Sequence, residues 1–277
     1  MMLTIAVFGA AGNMGTRVWN ALKNDPDYRL LCVEAGEQGQ AKLTARGVTA
    51  TPTEMAVAEA DVALLAVPDR LIGAVAPVVV PKLRSGAMVI CLDPAAPYGG
   101  KLPPRKDITY FVTHPAHPPV FNDETDPEAR RDFFGSGKAK QAIVCALMQG
   151  PESDYAKGEA IARRMFGPVL RSHRVTVGQM IILEPVLSET VSSTCVTIIR
   201  EAMDEAVRRG VPEAAARDFV LGHITIQLAI LFNEIDWEFS AGCKQAIADA
   251  KKQIFQPDWL KVFEPDQIAA SVRRITG

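Results

Sequence analysis

Hydrophobic positions in the first half of the chain come in short bursts, each stopped by glycine, proline or an acid. Leu3-Thr-Ile-Ala-Val-Phe8 is a β-branched and aromatic run that ends at Gly9-Ala-Ala-Gly12-Asn-Met-Gly15. A helical pattern with Val18 and Leu22 follows at once, then the turn Asn24-Asp-Pro-Asp27, then a second run from Arg29 to Val33 that ends at Glu34. Ala60–Val67, Ala87–Leu92, Thr109–Val112 and Ala142–Leu147 are further apolar runs, and the first three close on Pro68-Asp69, Asp93-Pro94 and Thr113-His114-Pro115. Apolar runs of this length bounded by turn residues mark strands buried on both faces, as in a parallel sheet. An amphipathic helix over 154–166 and an extended stretch over 169–177 complete the alternation.

The period then changes. From Gln179 to Arg209 apolar residues fall on nearly every face of about 30 residues, roughly 45 Å if helical. Such a helix is buried in a domain core or in a subunit interface. A second long helix runs from Pro212 or Glu213 toward Trp237, and a short one from Asp266 to Ile275. His223 sits in the apolar run and reads as a satisfied core residue. The pattern predicts an α/β Rossmann-type N-terminal domain over 1–177 followed by an all-α C-terminal domain over 178–277.

Composition narrows the classes. The 277 residues are 48% apolar and 22% charged, which excludes a disordered chain. Net charge is −2 and the basic pairs are scattered, so neither nucleic acid nor an anionic membrane is an expected partner. The longest apolar stretch, 62–80, is broken by Asp69, Arg70 and two prolines and cannot span a bilayer. Residues 1–8 lack the basic region and cleavage pattern of a signal peptide. Five widely spaced cysteines fit a reduced, cytoplasmic compartment.

Strand, glycine turn, helix, strand, acid is the order that a dinucleotide fold demands. Gly9 permits the tight turn, Gly12 lets backbone approach a pyrophosphate, and Gly15 lets the helix pack closely. Ala11, Asn13 and Met14 share that turn, whose N–H groups and helix N-terminus face the phosphates. The spacing is G-x-x-G-x-x-G; the alternative is a turn that merely joins strand to helix. Glu34 at the end of the second strand would accept from ribose hydroxyls and repel a 2′-phosphate, favouring NAD over NADP. Val67-Pro68-Asp69 is expected to pass the cofactor's ribose and phosphates.

The segment His114-Pro-Ala-His117-Pro-Pro follows a strand end and is stiffened by proline. Its histidines are candidate ligands or acid–base groups, or they cap backbone in a polar loop. Two carboxylates, Glu184 and Glu189, lie in the long apolar helix about 140° apart on the helical repeat. A buried carboxylate must be protonated, paired or metal-bound. Pro185 either kinks that helix or sits in its first turn, so Glu184 falls at an irregular point in either case.

Three segments carry a family resemblance: Thr-His114-Pro-Ala-His117-Pro-Pro-Val-Phe-Asn-Asp-Glu, Ala-Leu-Met-Gln-Gly150-Pro-Glu, and Leu-Glu184-Pro-Val-Leu-Ser-Glu189-Thr. They resemble the D-apionate oxidoisomerases, within the β-hydroxyacid dehydrogenase superfamily that includes 6-phosphogluconate dehydrogenase and ketol-acid reductoisomerase. Ordinary members begin the long helix with a catalytic lysine, whereas Gly178-Gln-Met-Ile-Ile-Leu-Glu184-Pro contains none. The resemblance implies NAD-dependent oxidation of D-apionate at C2, then a metal-assisted hydroxymethyl shift to 3-oxo-isoapionate. His114 and Glu184 become the metal candidates, with Zn, Mn or Mg as the ion. His117 is the candidate base and Glu189 a second catalytic candidate. A homodimer is implied by the long apolar helix. The alternatives are a simple NAD-dependent β-hydroxyacid dehydrogenase that stops at the 2-oxo acid, and a non-catalytic NAD sensor.

Overall fold

The computed structural model describes residues 2–277. The chain forms two compact units, Met1–Glu184 with Ala269–Gly277, and Pro185–Ile268.

The first unit is built on a seven-stranded sheet in the order β2-β1-β3-β4-β5-β6-β7. Its strands are β1 (Leu3–Phe8), β2 (Tyr28–Val33), β3 (Val62–Leu65), β4 (Met88–Cys91), β5 (Thr109–Pro115), β6 (Gln141–Gln149) and β7 (Val169–Arg174). Strands β1–β5 run parallel, with Ile5 opposite Val62 and Val62 opposite Met88. β6 pairs antiparallel with β5, and β7 parallel with β6.

The connecting helices are α1 (Asn13–Leu22), α2 (Glu37–Ala45), α3 (Thr53–Glu59), α4 (Asp69–Val79), α5 (Ala95–Tyr98) and α6 (Ser153–Met165). Side chains alternate across a strand, so β1 feeds both faces. Ile5 and Val7 pack with Val18 and Leu22 of α1 and Ile161 of α6. Ala6 and Phe8 pack with Val57 of α3 and with Ile72 and Ala76 of α4. β3 and β4 are buried throughout, which explains why both read as unbroken apolar runs.

The turn after β1 shows why two of its residues are glycine. Gly9 adopts φ +83°, and a Cβ there would lie 2.7 Å from Ala66 O. A Cβ on Gly15 would lie 2.2 Å from Gly9 O, so the first turn of α1 can close over the strand end only without one.

The long apolar segment begins as α7 (Val177–Ile181), closed at its start by a capping box between Thr176 and Gln179. From Ile182 to Ser193 it widens to a π-helical spacing with Pro185 inside, then resumes as α8 (Thr194–Arg208). The Thr190 hydroxyl donates to Pro185 O and the Ser193 hydroxyl to Ser188 O, both five residues back. Proline removes one backbone donor and crowds the preceding turn, and π-type widening is one way to absorb that. The irregularity expected around Glu184 is therefore a wide turn inside a continuing helix.

The second unit continues with α9 (Glu213–Leu231) and α10 (Ala241–Ile254), and α11 (Pro265–Thr276) ends the chain. Among its described residues only Pro185, Val186, Ala216, Ala229 and Ile268 are buried. One expectation fails here. His223 is exposed on α9, its ring stacked on Phe219 at 4.0 Å, because none of the described residues covers that face. Val177–Arg208 and Glu213–Leu231 are long and apolar enough to cross a membrane by length and composition.

Candidate active site

Ligands of open α/β sheets sit outside the carboxyl ends of the strands. A cavity of about 360 Å³ lies there. The turn Gly12-Asn13-Met14, the β3 end at Val67-Pro68-Asp69, the β4 end at Leu92-Asp93 and the β5 end at His114-Pro115 line it, and His117 and Phe134 close one side. The three loops that close β3, β4 and β5 therefore share one crevice.

At the glycine turn, the Ala11 N–H donates to Glu34 Oε1 at 2.6 Å. The acid at the end of β2 thus reaches across to the loop that opens α1. Asn13 and Met14 begin that helix, and Gly12 is its N-cap in extended conformation. Free N–H groups at such a terminus suit an anion.

At the other end of the cavity, Asp93, His114 and Glu184 converge. One potential ligand atom from each lies within 4.8 Å of the others. His114 Nε2 is 3.6 Å from Glu184 Oε2, and its Nδ1 is 3.8 Å from Asp93 Oδ2. All three side chains are partly buried, between 18% and 25% exposed. His114 Nδ1 lies 2.7 Å from Leu92 O. A carbonyl only accepts, so Nδ1 is the donor to it, and Nε2 is the ring nitrogen turned toward Glu184. Metal-ligating histidines are held in this way, by a hydrogen bond on the far ring nitrogen. Asp93 Oδ1 accepts from the Ala95 N–H at 2.9 Å. One imidazole and two carboxylates form a borderline-to-hard donor set.

Asp69, at the start of α4, accepts from the Ala96 N–H at 3.2 Å. Burial and then the neighbouring Asp93 push its carboxyl up to about 6. Two carboxylates this close resist ionising together, which is what a bound cation would relieve.

His117 sits at φ +60°, a left-handed backbone that a non-glycine residue rarely adopts. Its Nδ1 lies 3.1 Å from Phe134 O and its ring packs 5.5 Å from that of Phe134. The two histidine rings meet edge to face at 6.3 Å. Burial lowers the His117 pKa, against the hydrogen bond to Phe134 O, so the neutral ring is favoured. With Nδ1–H engaged, Nε2 is the basic nitrogen.

The structure therefore brings His114, Glu184, His117 and Asp69 to the same strand ends as the glycine turn. It adds Asp93, which sequence reasoning took only as the residue closing a strand. The available signal was its position, an acid at the carboxyl end of a buried parallel strand. Glu189 is exposed and belongs to the second unit.

A mostly parallel, Rossmann-type sheet followed by helices defines the fold class, and comparison agrees. Residues 122–276 match the family model of the phosphogluconate dehydrogenase (decarboxylating) C-terminal region. A D-apionate oxidoisomerase of Cupriavidus necator is 54% identical over 274 residues, covering 98% of this chain and 99% of that one. A second, from Rhizobium rhizogenes, is 52% identical over 276 residues, covering 99% and 100%. The chain belongs to the D-apionate oxidoisomerase family. A crystal structure described as a semialdehyde dehydrogenase NAD-binding protein from Cupriavidus necator, in complex with calcium and NAD, superposes with a TM-score of 0.96. It is 53% identical and covers the whole of both chains.

Proposed function

We propose that this chain is an NAD-dependent oxidoisomerase that converts D-apionate to 3-oxo-isoapionate. The observation that carries the reading is the Asp93–His114–Glu184 cluster, in which Leu92 O leaves His114 Nε2 available as a ligand, at the same strand ends as a dinucleotide turn.

Gly9, Ala11, Gly12, Asn13, Met14 and Gly15 form the turn that would hold the pyrophosphate. Glu34 would hold the adenosine ribose and reject a 2′-phosphate, and Pro68 and Asp69 flank the path of the dinucleotide. His114 and Glu184, joined by Asp93, would hold a divalent ion. The NAD and calcium of the Cupriavidus necator structure support both groups as classes. One imidazole with two carboxylates suits Zn, Mn or Mg. When bound, NAD accepts a hydride and the ion supplies Lewis acidity toward vicinal oxygens.

The chain's own residues do the rest. His117 Nε2 takes the proton of the C2 hydroxyl as the C2 hydride departs, leaving a 2-oxo-3-hydroxy acid. The hydroxymethyl group then migrates with its bonding pair from C3 to C2. The C3 hydroxyl loses its proton to become the ketone, and the C2 oxygen gains one. His117 would move that proton, and Glu189 is the second acid–base candidate. The NAD-binding role expected of 1–177 would fall to the sheet unit, which also takes in 178–184 and 269–277, and the substrate-binding and dimerising role expected of 178–277 to Pro185–Ile268.

The exposed apolar faces of α8 and α9 fit a second copy of this chain. α8 carries charged residues paired with one another, Arg200 with Asp204 and Arg208 with Glu205, on a helix that a bilayer would have to desolvate. That favours a homodimer in the cytoplasm over a membrane span. Sedimentation across concentrations reads this directly, and a persistent monomer would refute it.

The test of the reaction is NADH formation from D-apionate by chelator-stripped protein, with and without added divalent metal, and with the product identified by NMR. Metal-dependent turnover to the rearranged 3-oxo acid is expected. A product that stops at the 2-oxo acid would make the chain a simple dehydrogenase.

A further inference from the structure

A second cavity, of about 380 Å³, lies beside α1. Its charged lining residues are Arg17 and Arg46, with neutral Asn13, Thr16, Asn20 and Ser136 around them. No carboxylate lines it among the described residues.

Both arginines are incompletely satisfied. Arg17 is only 6% exposed. Its guanidinium lies between the rings of Phe134 and Phe166, 5.0 and 4.9 Å from their centroids, and Nη1 donates to Phe134 O at 3.2 Å. Nη2 is buried with no hydrogen-bond partner among the described residues. Arg46 Nη2 reaches Ala11 O at 3.4 Å, and its Nη1 is buried and equally unpartnered. Burial lowers the Arg17 pKa to about 10, although Asp132 pulls the other way. Asp132 cannot fully offset this charge, because it already accepts from the Ser136 hydroxyl and the N–H groups of Ser136, Lys138 and Ala139. A buried cation and unpaired donors each cost free energy unless something pairs with them. Two arginines lining one cavity that no carboxylate lines match the oxygens of a phosphate better than a neutral ligand.

We propose that the Arg17–Arg46 cavity is a binding site for a phosphate-type oxyanion. Two sources share that chemistry. One is free phosphate or a phosphorylated metabolite. The other is a phosphate of the dinucleotide itself, since Asn13 lines both this cavity and the one at the strand ends.

The probe is inorganic phosphate, titrated calorimetrically into the wild-type protein at constant ionic strength set with chloride, with and without saturating NAD. Arg46→Ala is the main variant, because Arg46 lies at the cavity's half-buried edge; Arg17→Lys keeps the buried charge but loses the fork. Saturable phosphate binding, weakened about tenfold or more in Arg46→Ala, is expected, the size of one charge-assisted hydrogen bond. Binding that persists under saturating NAD assigns the site to a free anion. Binding that NAD abolishes, with NAD affinity itself weakened in Arg46→Ala, assigns it to the dinucleotide's phosphate. Phosphate heats no different from chloride, with NAD affinity unchanged in both variants, would overturn the site and leave only water in the cavity. The readouts are binding of phosphate and of NAD rather than turnover, so failure of the proposed reaction would not affect them.

Discussion

The two units of this chain are opposites in how they use apolar residues. In the sheet unit, apolar runs disappear between layers: β3 and β4 expose nothing, and two core clusters fill the faces of one sheet. In the helical unit the same residue types stay outside. α8 has no buried residue and α9 only Ala216 and Ala229, while Phe219, Leu231, Phe232 and Trp237 are each more than 60% exposed. An α/β unit closes its own core because helices cover both faces of its sheet. A few helices with five buried residues have no such closure, and among the described residues nothing covers the apolar stripe. The apolar content of a segment therefore does not by itself report burial within the chain.

The largest effect expected from a single change tests whether the chemistry resides wholly in the self-sufficient unit. His114→Ala removes the only nitrogen donor of the Asp93–His114–Glu184 cluster. Turnover should fall by at least about a hundredfold, the scale of losing metal affinity and alignment together. NAD affinity and the unfolding midpoint should barely move. Glu184→Gln should behave alike, and full activity in either variant would remove the metal assignment.

Next is a change that the sheet unit should ignore. Phe219→Asp places a charge in the apolar groove formed with Ile199 and Met203. If a second copy covers this face, association should weaken by about 2–4 kcal/mol, the scale of an interface anchor. Sedimentation would then show monomer while NAD binding survives. If the face is merely solvated, the change should cost under about 0.5 kcal/mol and leave the assembly unaltered.

Gly15→Ala moves the challenge back to the sheet unit. Its Cβ would meet Gly9 O at 2.2 Å and Ala10 Cα at 2.6 Å, all backbone that cannot rotate away. Destabilisation of about 1–3 kcal/mol is expected, with weaker NAD binding because the turn must shift. Denaturant unfolding and NAD titration check both, and an unchanged midpoint would contradict this packing of α1.

The same contrast explains what could be read from the chain. Buried parallel strands leave continuous runs, so β1, β3, β4 and β5 and the glycine turn between β1 and α1 were legible. The antiparallel insertion of β6 was not, since pairing direction leaves no mark on a buried run. Asp93 escaped because a ligand set gathers from two strand ends and a helix, 21 and 70 residues apart in sequence, with no spacing rule to betray it. Glu184 was legible through Pro185, whose effect on the helix is local. His223 was misplaced because an apolar neighbourhood in sequence was equated with burial inside one chain. α10 has no buried residue and left no periodic stripe from which to name it.

The smallest expected effect concerns the loop that carries Phe134 against His117. Asp132 is buried, and burial alone would raise its pKa. Hydrogen bonds from the Ser136 hydroxyl and the N–H groups of Ser136, Lys138 and Ala139 outweigh this and hold the carboxyl well below the usual carboxylate range. Its folded pKa is therefore below its unfolded one, so the unfolded chain binds the extra proton first. The stabilisation is complete above about pH 4, near the ordinary carboxylate value, and is lost progressively as the pH falls below it. Asp132→Asn keeps the shape but replaces one charged acceptor oxygen by a donor. It should cost about 1–2 kcal/mol at neutral pH. The cost should shrink as the wild type is acidified, because its unfolded chain then gains stability by binding the proton that folded Asp132 still excludes. Thermal unfolding of both proteins between pH 7 and about pH 3 tests this. Parallel curves would mean that the four donors do not hold the loop through this charge, and that Phe134 is positioned against His117 by ring packing alone.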